Sequence, residues 1–130
     1  MRIVINKLLI DTNIVIELFR GNQTIIELLD KQQTVYIPFA VLGELYLGAY
    51  RSANELKKVQ EIKNFLERCI VLFADATTAD KYAIIKTVLL SKGKPIPEND
   101  IWIAAIAMHY QLPLYTNDEH FKEVEGIVLS

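Results

Sequence analysis

Short apolar runs recur along this chain, and the segments between them carry the period of a helix. "KLLIDT" (7–12), "TVYIP" (34–38), "CIVLF" (69–73), "LPLYT" (112–116) and "GIVLS" (126–130) read as five strands. "NIVIELFR" reads as a helix stopped by Gly21-Asn22. "TIIELLDKQ" and the apolar "FAVLGELYLGAY" are helical, and "ANELKKVQEIKNFLERC" is an amphipathic helix. "DATTADKYAIIKTVLLSKG" reads as a capped helix with Gly93 at its end. "KPIPEND" is a loop opening into "IWIAAIAMHY", a helix rich in small residues. Strands separated by helices pair in parallel, because each crossover returns the chain to the end of the sheet where the previous strand began. The expected fold is an α/β three-layer sandwich: a five-stranded parallel sheet between helices, formed by 1–130 as one domain.

The totals agree with such a core and exclude several classes of function. With 130 residues, 52% hydrophobic and 23% charged, the chain is neither disordered nor fibrous. A net charge of -2 gives no overall attraction for nucleic acid, so binding there must rest on a local basic patch. Cys69 is the one cysteine, which rules out an internal disulfide and points to a reducing, cytoplasmic setting. "MRIVINKLLIDT" has Asn6 and Lys7 inside its apolar stretch and makes a poor signal peptide. No apolar run has the length of a membrane span, so no membrane partner is expected.

Certain carboxylates stand where a polar turn would do as well with Ser or Asn. Asp11 ends the first apolar run, where the backbone leaves the core. Glu44 is the only charge in "FAVLGELYLGAY", a helix that must be buried on nearly every side; alternatively it lies on a thin solvent stripe or pairs with Arg51. Asp100 opens "DIWIAAIAMHY", either as an ordinary first-turn acid or as a site residue brought close to other backbone by Ala104, Ala105 and Ala107. Asp118 lies in "YTNDEHF", a polar turn after the fourth strand. Thr12 and Thr116 each stand beside an acid, as helix caps or as donors that orient a carboxylate. Two carboxylates about 4 Å apart repel by roughly 4 kcal/mol at an effective dielectric near 20. Four acids converging at one end of a sheet therefore make sense around a divalent cation, and an all-oxygen set suits Mg²⁺ or Mn²⁺. Such ions activate water and stabilise the leaving oxygen in phosphodiester hydrolysis.

"LLIDTNIVIELF", "PFAVLGELYLGA" and "IPENDIWIAAIAMHYQLPLYTNDEHF" resemble, in order and spacing, the signature segments of PIN-domain ribonucleases, and in particular of VapC-type toxins from toxin–antitoxin pairs. The resemblance covers nearly the whole chain. It implies the five-stranded PIN fold, a homodimer, a cognate antitoxin protein, and endonuclease cleavage of RNA dependent on Mg²⁺ or Mn²⁺. It places Asp11, Glu44, Asp100 and Asp118 at the four acidic catalytic and metal positions. Thr12, Asn99 and Thr116 fall on supporting polar positions.

Arg20, Lys92 and Lys94 flank the acidic segments and are candidates for RNA phosphates, or else solvated loop cations. Lys57, Lys58 and Lys63, interleaved with Glu55, Glu61 and Glu67, read as a salt-bridged exposed helix. Tyr46 and Tyr50 read as core or dimer contacts and Trp102 as core. His109 and His120 lack zinc-like spacing with Cys69 and are not expected in a hard oxygen site. Other classes fit less well. A phospho-acceptor domain carries paired acids after its first strand, and an Asp-x-Asp phosphatase fails because position 13 is Asn. A non-catalytic PIN-like module would not need the full acid set. A PIN-type nuclease with a housekeeping role or a structured-DNA substrate stays open.

Overall fold

The computed structural model describes residues 7–130; the segment 1–6, part of the stretch read above as a poor signal peptide, lies outside them. The chain runs β1 (Lys7–Ile10), α1 (Thr12–Phe19), α2 (Gln23–Asp30), β2 (Thr34–Pro38), α3 (Phe39–Tyr50), α4 (Glu55–Leu66), β3 (Cys69–Leu72), α5 (Ala76–Lys92), α6 (Glu98–Tyr110), β4 (Leu114–Tyr115) and a 3₁₀ turn, Glu119–Glu123. Among the described residues the sheet has four strands in the order β3-β2-β1-β4, every pairing parallel, with six helices around it.

β1 is central and wholly apolar from Leu8 on, as a strand covered on both faces must be: Leu8, Leu9 and Ile10 are all buried. It pairs with β2 on one side and β4 on the other. The strand order therefore reverses at β1. In open parallel sheets the crevice at the carboxyl ends of the strands flanking such a reversal is where ligands sit. α6 supplies much of the remaining core, with Ile101 and the run Ile103–Ala107 buried.

The expected fifth strand reduces to one bridge. In a parallel ladder alternate residues face alternate neighbours, and β4 is two residues long. Pro113 and Tyr115 offer their carbonyls to the β1 side, to Leu9 N and Asp11 N at 3.0 and 3.1 Å. Leu114 alone faces the other way. Its N–H reaches Val128 O and its carbonyl accepts from Ser130 N, both at 2.9 Å, giving the isolated bridge to Leu129. The next residue facing that way, Leu112, has spent its N–H on Ala107 O at the end of α6, so the ladder stops.

The expected salt bridges of α4 do not close either. Among the described residues none of its Lys–Glu offsets comes within ion-pair distance, and Gln60 donates to Asn64 at 2.9 Å instead. Exposed pairs of this kind gain little over hydration. Trp102 is half-buried and stacks on Tyr82 at 4.1 Å. Cys69 is also half-buried, and burial pushes its thiol up to about 12, which removes it as a nucleophile.

α5 has the caps its sequence suggests. Asp75 Oδ1 accepts from Thr78 N, the Thr78 hydroxyl accepts from Asp75 N, and Gly93 ends the helix in the left-handed region with φ 65°. A Cβ on Gly93 would meet no atom within 4 Å, so only backbone strain opposes one. Gly93→Ala should lower stability by about 1 kcal/mol in urea denaturation, and an unchanged midpoint would refute the cap's contribution.

Candidate active site

Asp11 joins sheet and site. Its N–H donates to Tyr115 O, carrying the β1–β4 pairing one residue past the strand. Its extended backbone makes it the N-cap of α1, with Oδ1 accepting from Thr12 N at 2.8 Å. Oδ2 accepts from Thr116 Oγ1 at 2.7 Å and from Asn13 Nδ2 at 3.2 Å. The carboxylate is buried, 3% exposed, and both its oxygens are held.

Thr116 carries the arrangement across the crevice. While donating to Asp11, its hydroxyl accepts from Asp118 N at 2.9 Å. Asp118 in turn caps the 3₁₀ turn through His120 N at 2.9 Å, so it is fixed and not a loose turn acid. The turn swings His120 back over the acids. Its Nδ1 lies 2.9 Å from Asp100 Oδ2 and 3.0 Å from Asp118 Oδ1. One atom from each of Asp100, Asp118 and His120 falls within 4.8 Å of the others.

Asp100 stands in the first turn of α6 but does not cap it: the N-cap is Pro97, which offers no side-chain bond. That first turn is fixed from α5. Tyr82 OH and Lys86 Nζ both donate to Glu98, while the Tyr82 ring stacks on Trp102. Asp100 is thus held on a rigid helix end at 8% exposure.

Glu44 approaches from α3, which is not buried on nearly every side as its composition suggests: only Val41, Leu45 and Ala49 are buried, and Glu44 is half-buried beside an exposed stripe of the helix. It makes no described pair with Arg51, and its Oε1 is buried without a hydrogen-bond partner. Thr12 Oγ1 is orphaned in the same way; it lies near enough to Glu44 to favour the ionised form, yet the two do not meet hydrogen-bond geometry. Asn99 is exposed and also favours that form.

The electrostatics follow from this crowding. Burial pushes the Asp11 carboxyl up; Asp118 adds to the push, and bonds from Thr116, Thr12 and Asn13 resist it. Burial likewise raises Glu44, with Asp11 and Asp100 adding repulsion. Burial is also the largest influence on Asp100, whose carboxyl is raised despite the His120 bond. His120 is raised in its turn, chiefly by the bond to Asp100.

The cations divide. Arg20 ends α1, pairs with Glu17 at 3.1 Å and lines a cleft of about 460 Å³ together with Glu44, Lys57 and Lys58. Lys92 is turned to Glu123 O at 3.1 Å and Glu125 at 3.3 Å, tying α5 to the C-terminal segment. Lys94 is exposed and has no described contact with the acids. Two residues without an expected role reach the site: Asn13, whose amide oxygen also accepts from Asn117 N at 3.1 Å, and His120, not expected among hard oxygen ligands yet in contact with Asp100 and Asp118. The available signal for His120 was its place two residues after an acid in a tight turn.

Known proteins are similar to this chain in sequence and fold. The PIN domain family model matches residues 8–127. Ribonuclease VapC2 of Haemophilus influenzae (strain Rd) is 32% identical over 126 residues, 94% of this chain and 92% of that protein. Ribonuclease VapC1 of strain R2866 is 31% identical over 125 residues, 92% of each. VapBC2 from Rickettsia felis, solved bound to a promoter DNA fragment, superposes with TM-score 0.88 at 28% identity, over 95% of this chain and 97% of that one. DNA-bound VapBC from Salmonella typhimurium superposes with TM-score 0.89 at 27% identity, over 95% and 96%. The chain belongs to the PIN-domain family and, within it, to the VapC ribonucleases of toxin–antitoxin systems.

Proposed function

We propose that this chain is a Mg²⁺- or Mn²⁺-dependent endoribonuclease, acting as a single cytoplasmic domain, whose catalytic acids are Asp11, Glu44, Asp100 and Asp118. The observation that carries the reading is the convergence of buried and half-buried, mutually repelling carboxylates at the carboxyl ends of β1 and β4. The residues fit a cation. Glu44 Oε1 is buried with no partner, and three carboxyls are held above their ordinary range, a cost that a bound positive charge removes. Asp100 and Asp118 would hold the ion, with Asp11 and Glu44 supplying further charge and remaining lone pairs. When bound, such an ion neutralises developing phosphate charge and lowers the pKa of an attacking water.

The chain's own groups have separate tasks. Thr116, Asn13 and the Thr12 N–H lock the Asp11 carboxylate in one orientation. Glu44, with Oε1 buried and unpartnered, adds negative charge beside Asp11 and Asp100. Arg20, Lys57 and Lys58 share the lining of one cleft with Glu44, and cations so placed suit the phosphates of a bound RNA. Lys92 is the weaker candidate, since its ammonium is already engaged, and Lys94 lies in the loop before α6.

The reading includes two protein partners. One is a cognate antitoxin, supported by solved relatives that are VapBC and FitAB complexes. The other is a second copy of this chain, supported by the exposed apolar side chains of Leu47 and Tyr50 on α3 and Leu56 on α4. Among the described residues no helix is long and apolar enough to cross a membrane.

Purified protein should cleave a mixed RNA pool with Mg²⁺ or Mn²⁺, stop in excess EDTA, and restart when the ion is restored; undiminished cleavage in EDTA would remove the mechanism. Asp100→Asn, which keeps volume but not charge, should abolish new ends mapped on that pool, and cleavage of structured DNA in preference to RNA would change the substrate. Expression alone should arrest growth, with relief by a small protein encoded alongside.

Linkage gives a test on the folded chain itself. A carboxyl raised on folding stabilises fully below its unfolded value and loses that contribution as pH rises through the folded one. Metal-free stability from these groups should therefore fall from about pH 4 upward. Glu44→Gln at neutral pH should leave the metal-free melting temperature unchanged or higher and shrink the rise caused by added Mn²⁺. A large fall without metal would mean that Glu44 supports the fold.

A further inference from the structure

We infer that His120 Nδ1 is a direct ligand of the divalent ion, completing a mixed oxygen and nitrogen face with Asp100 and Asp118, and that it makes the site favour Mn²⁺ over Mg²⁺. The inference rests on the divalent-ion reading above and adds to it a residue that an all-oxygen site would not contain.

The geometry is the first argument. Neighbouring ligands of an octahedral ion with bonds of about 2.1 Å lie about 3 Å apart. His120 Nδ1 stands 2.9 Å from Asp100 Oδ2 and 3.0 Å from Asp118 Oδ1, so the proton it shares with Asp100 in the metal-free site would be released to solvent as the ion takes its place. The Asp118–His120 half of this arrangement is fixed by the backbone: the His120 N–H bonds Asp118 Oδ1, so the turn presents imidazole and carboxylate together.

Asp11 supplies the second argument. It is the most enclosed of the acids, and three donors take up most of its acceptor capacity, whereas among the described residues Asp100 and Asp118 accept only from His120. The cluster of donors close enough to share one ion is Asp100, Asp118 and His120, without Asp11. In this division Asp11 provides charge and anchoring, while the open edge of the site is closed by His120, half of whose side chain faces solvent.

Chemistry supplies the third. Mg²⁺ takes oxygen and water ligands and gains little from an imidazole, whereas nitrogen ligation strengthens binding of transition ions. One imidazole among carboxylates therefore shifts preference toward Mn²⁺ while leaving Mg²⁺ able to bind through the oxygens.

The test is Mn²⁺ binding to the full chain at fixed pH, read by loss of the free-ion EPR signal and by Mg²⁺ competition. Pulsed EPR on the bound ion then reads nitrogen coupling. Wild type should show coupling to an imidazole nitrogen. His120→Ala and His120→Asn should lose it, weaken Mn²⁺ by about tenfold or more, and change Mg²⁺ by less than about threefold. The exposed position of His120 and the retained backbone bond to Asp118 keep both variants folded, which circular dichroism checks. Tight Mn²⁺ binding without nitrogen coupling, or an unchanged Mn²⁺/Mg²⁺ ratio in the variants, overturns the His120 assignment and leaves the divalent-ion reading standing. No Mn²⁺ binding by wild type overturns both.

Discussion

The hydrogen bond from Thr116 to Asp11 joins the carboxyl ends of two neighbouring parallel strands, and the acidic cluster is built outward from it. Asp11 N continues the β1–β4 ladder, its Oδ1 starts α1, and its Oδ2 holds Thr116. Thr116 then receives Asp118, Asp118 turns the chain into the 3₁₀ segment, and that turn lays His120 on Asp100 of α6. Each bond is local, but the series spans elements 105 residues apart in sequence. The reversal of strand order at β1 makes this possible, since it leaves a crevice that no crossover helix fills.

The same arrangement works against the fold. Carboxyls raised by burial and mutual repulsion cost stability at neutral pH, and Glu44 leaves an oxygen unpaired in the interior. The core offsets this cost: β1 and α6 are buried along nearly their whole apolar length, and Phe121 anchors the turn that carries Asp118 and His120. Rigid elements thus hold the acids in a cluster that they would otherwise relax by moving apart.

How far the sequence reveals this depends on whether the signal is local. Asp11, Glu44 and Asp100 each interrupt an apolar pattern, so their positions stand out, and the strand and helix periods show with them. The length of β4 does not show, because "LPLYT" has strand composition throughout; what limits it is the alternation of facing residues around Pro113 and the capping of α6 by Leu112 N. α4 displays salt-bridge offsets, but exposed side chains gain little by closing them. Asn13 looks like a helix residue until the Thr116 loop folds over it. His120 is hidden most deeply: its meaning depends on Asp100, twenty residues earlier on another element. Asp118, legible in the sequence only as part of a polar turn, is held by two backbone bonds that the turn geometry reveals.

The central claim is that the carboxylates converge to hold one cation at the ends of β1 and β4. Anomalous difference density from crystals grown with Mn²⁺ tests it most directly. The account predicts a peak within about 2.3 Å of oxygens from both Asp100 and Asp118, with Asp11 and Glu44 around it. A peak elsewhere, or none at saturating Mn²⁺, would contradict it.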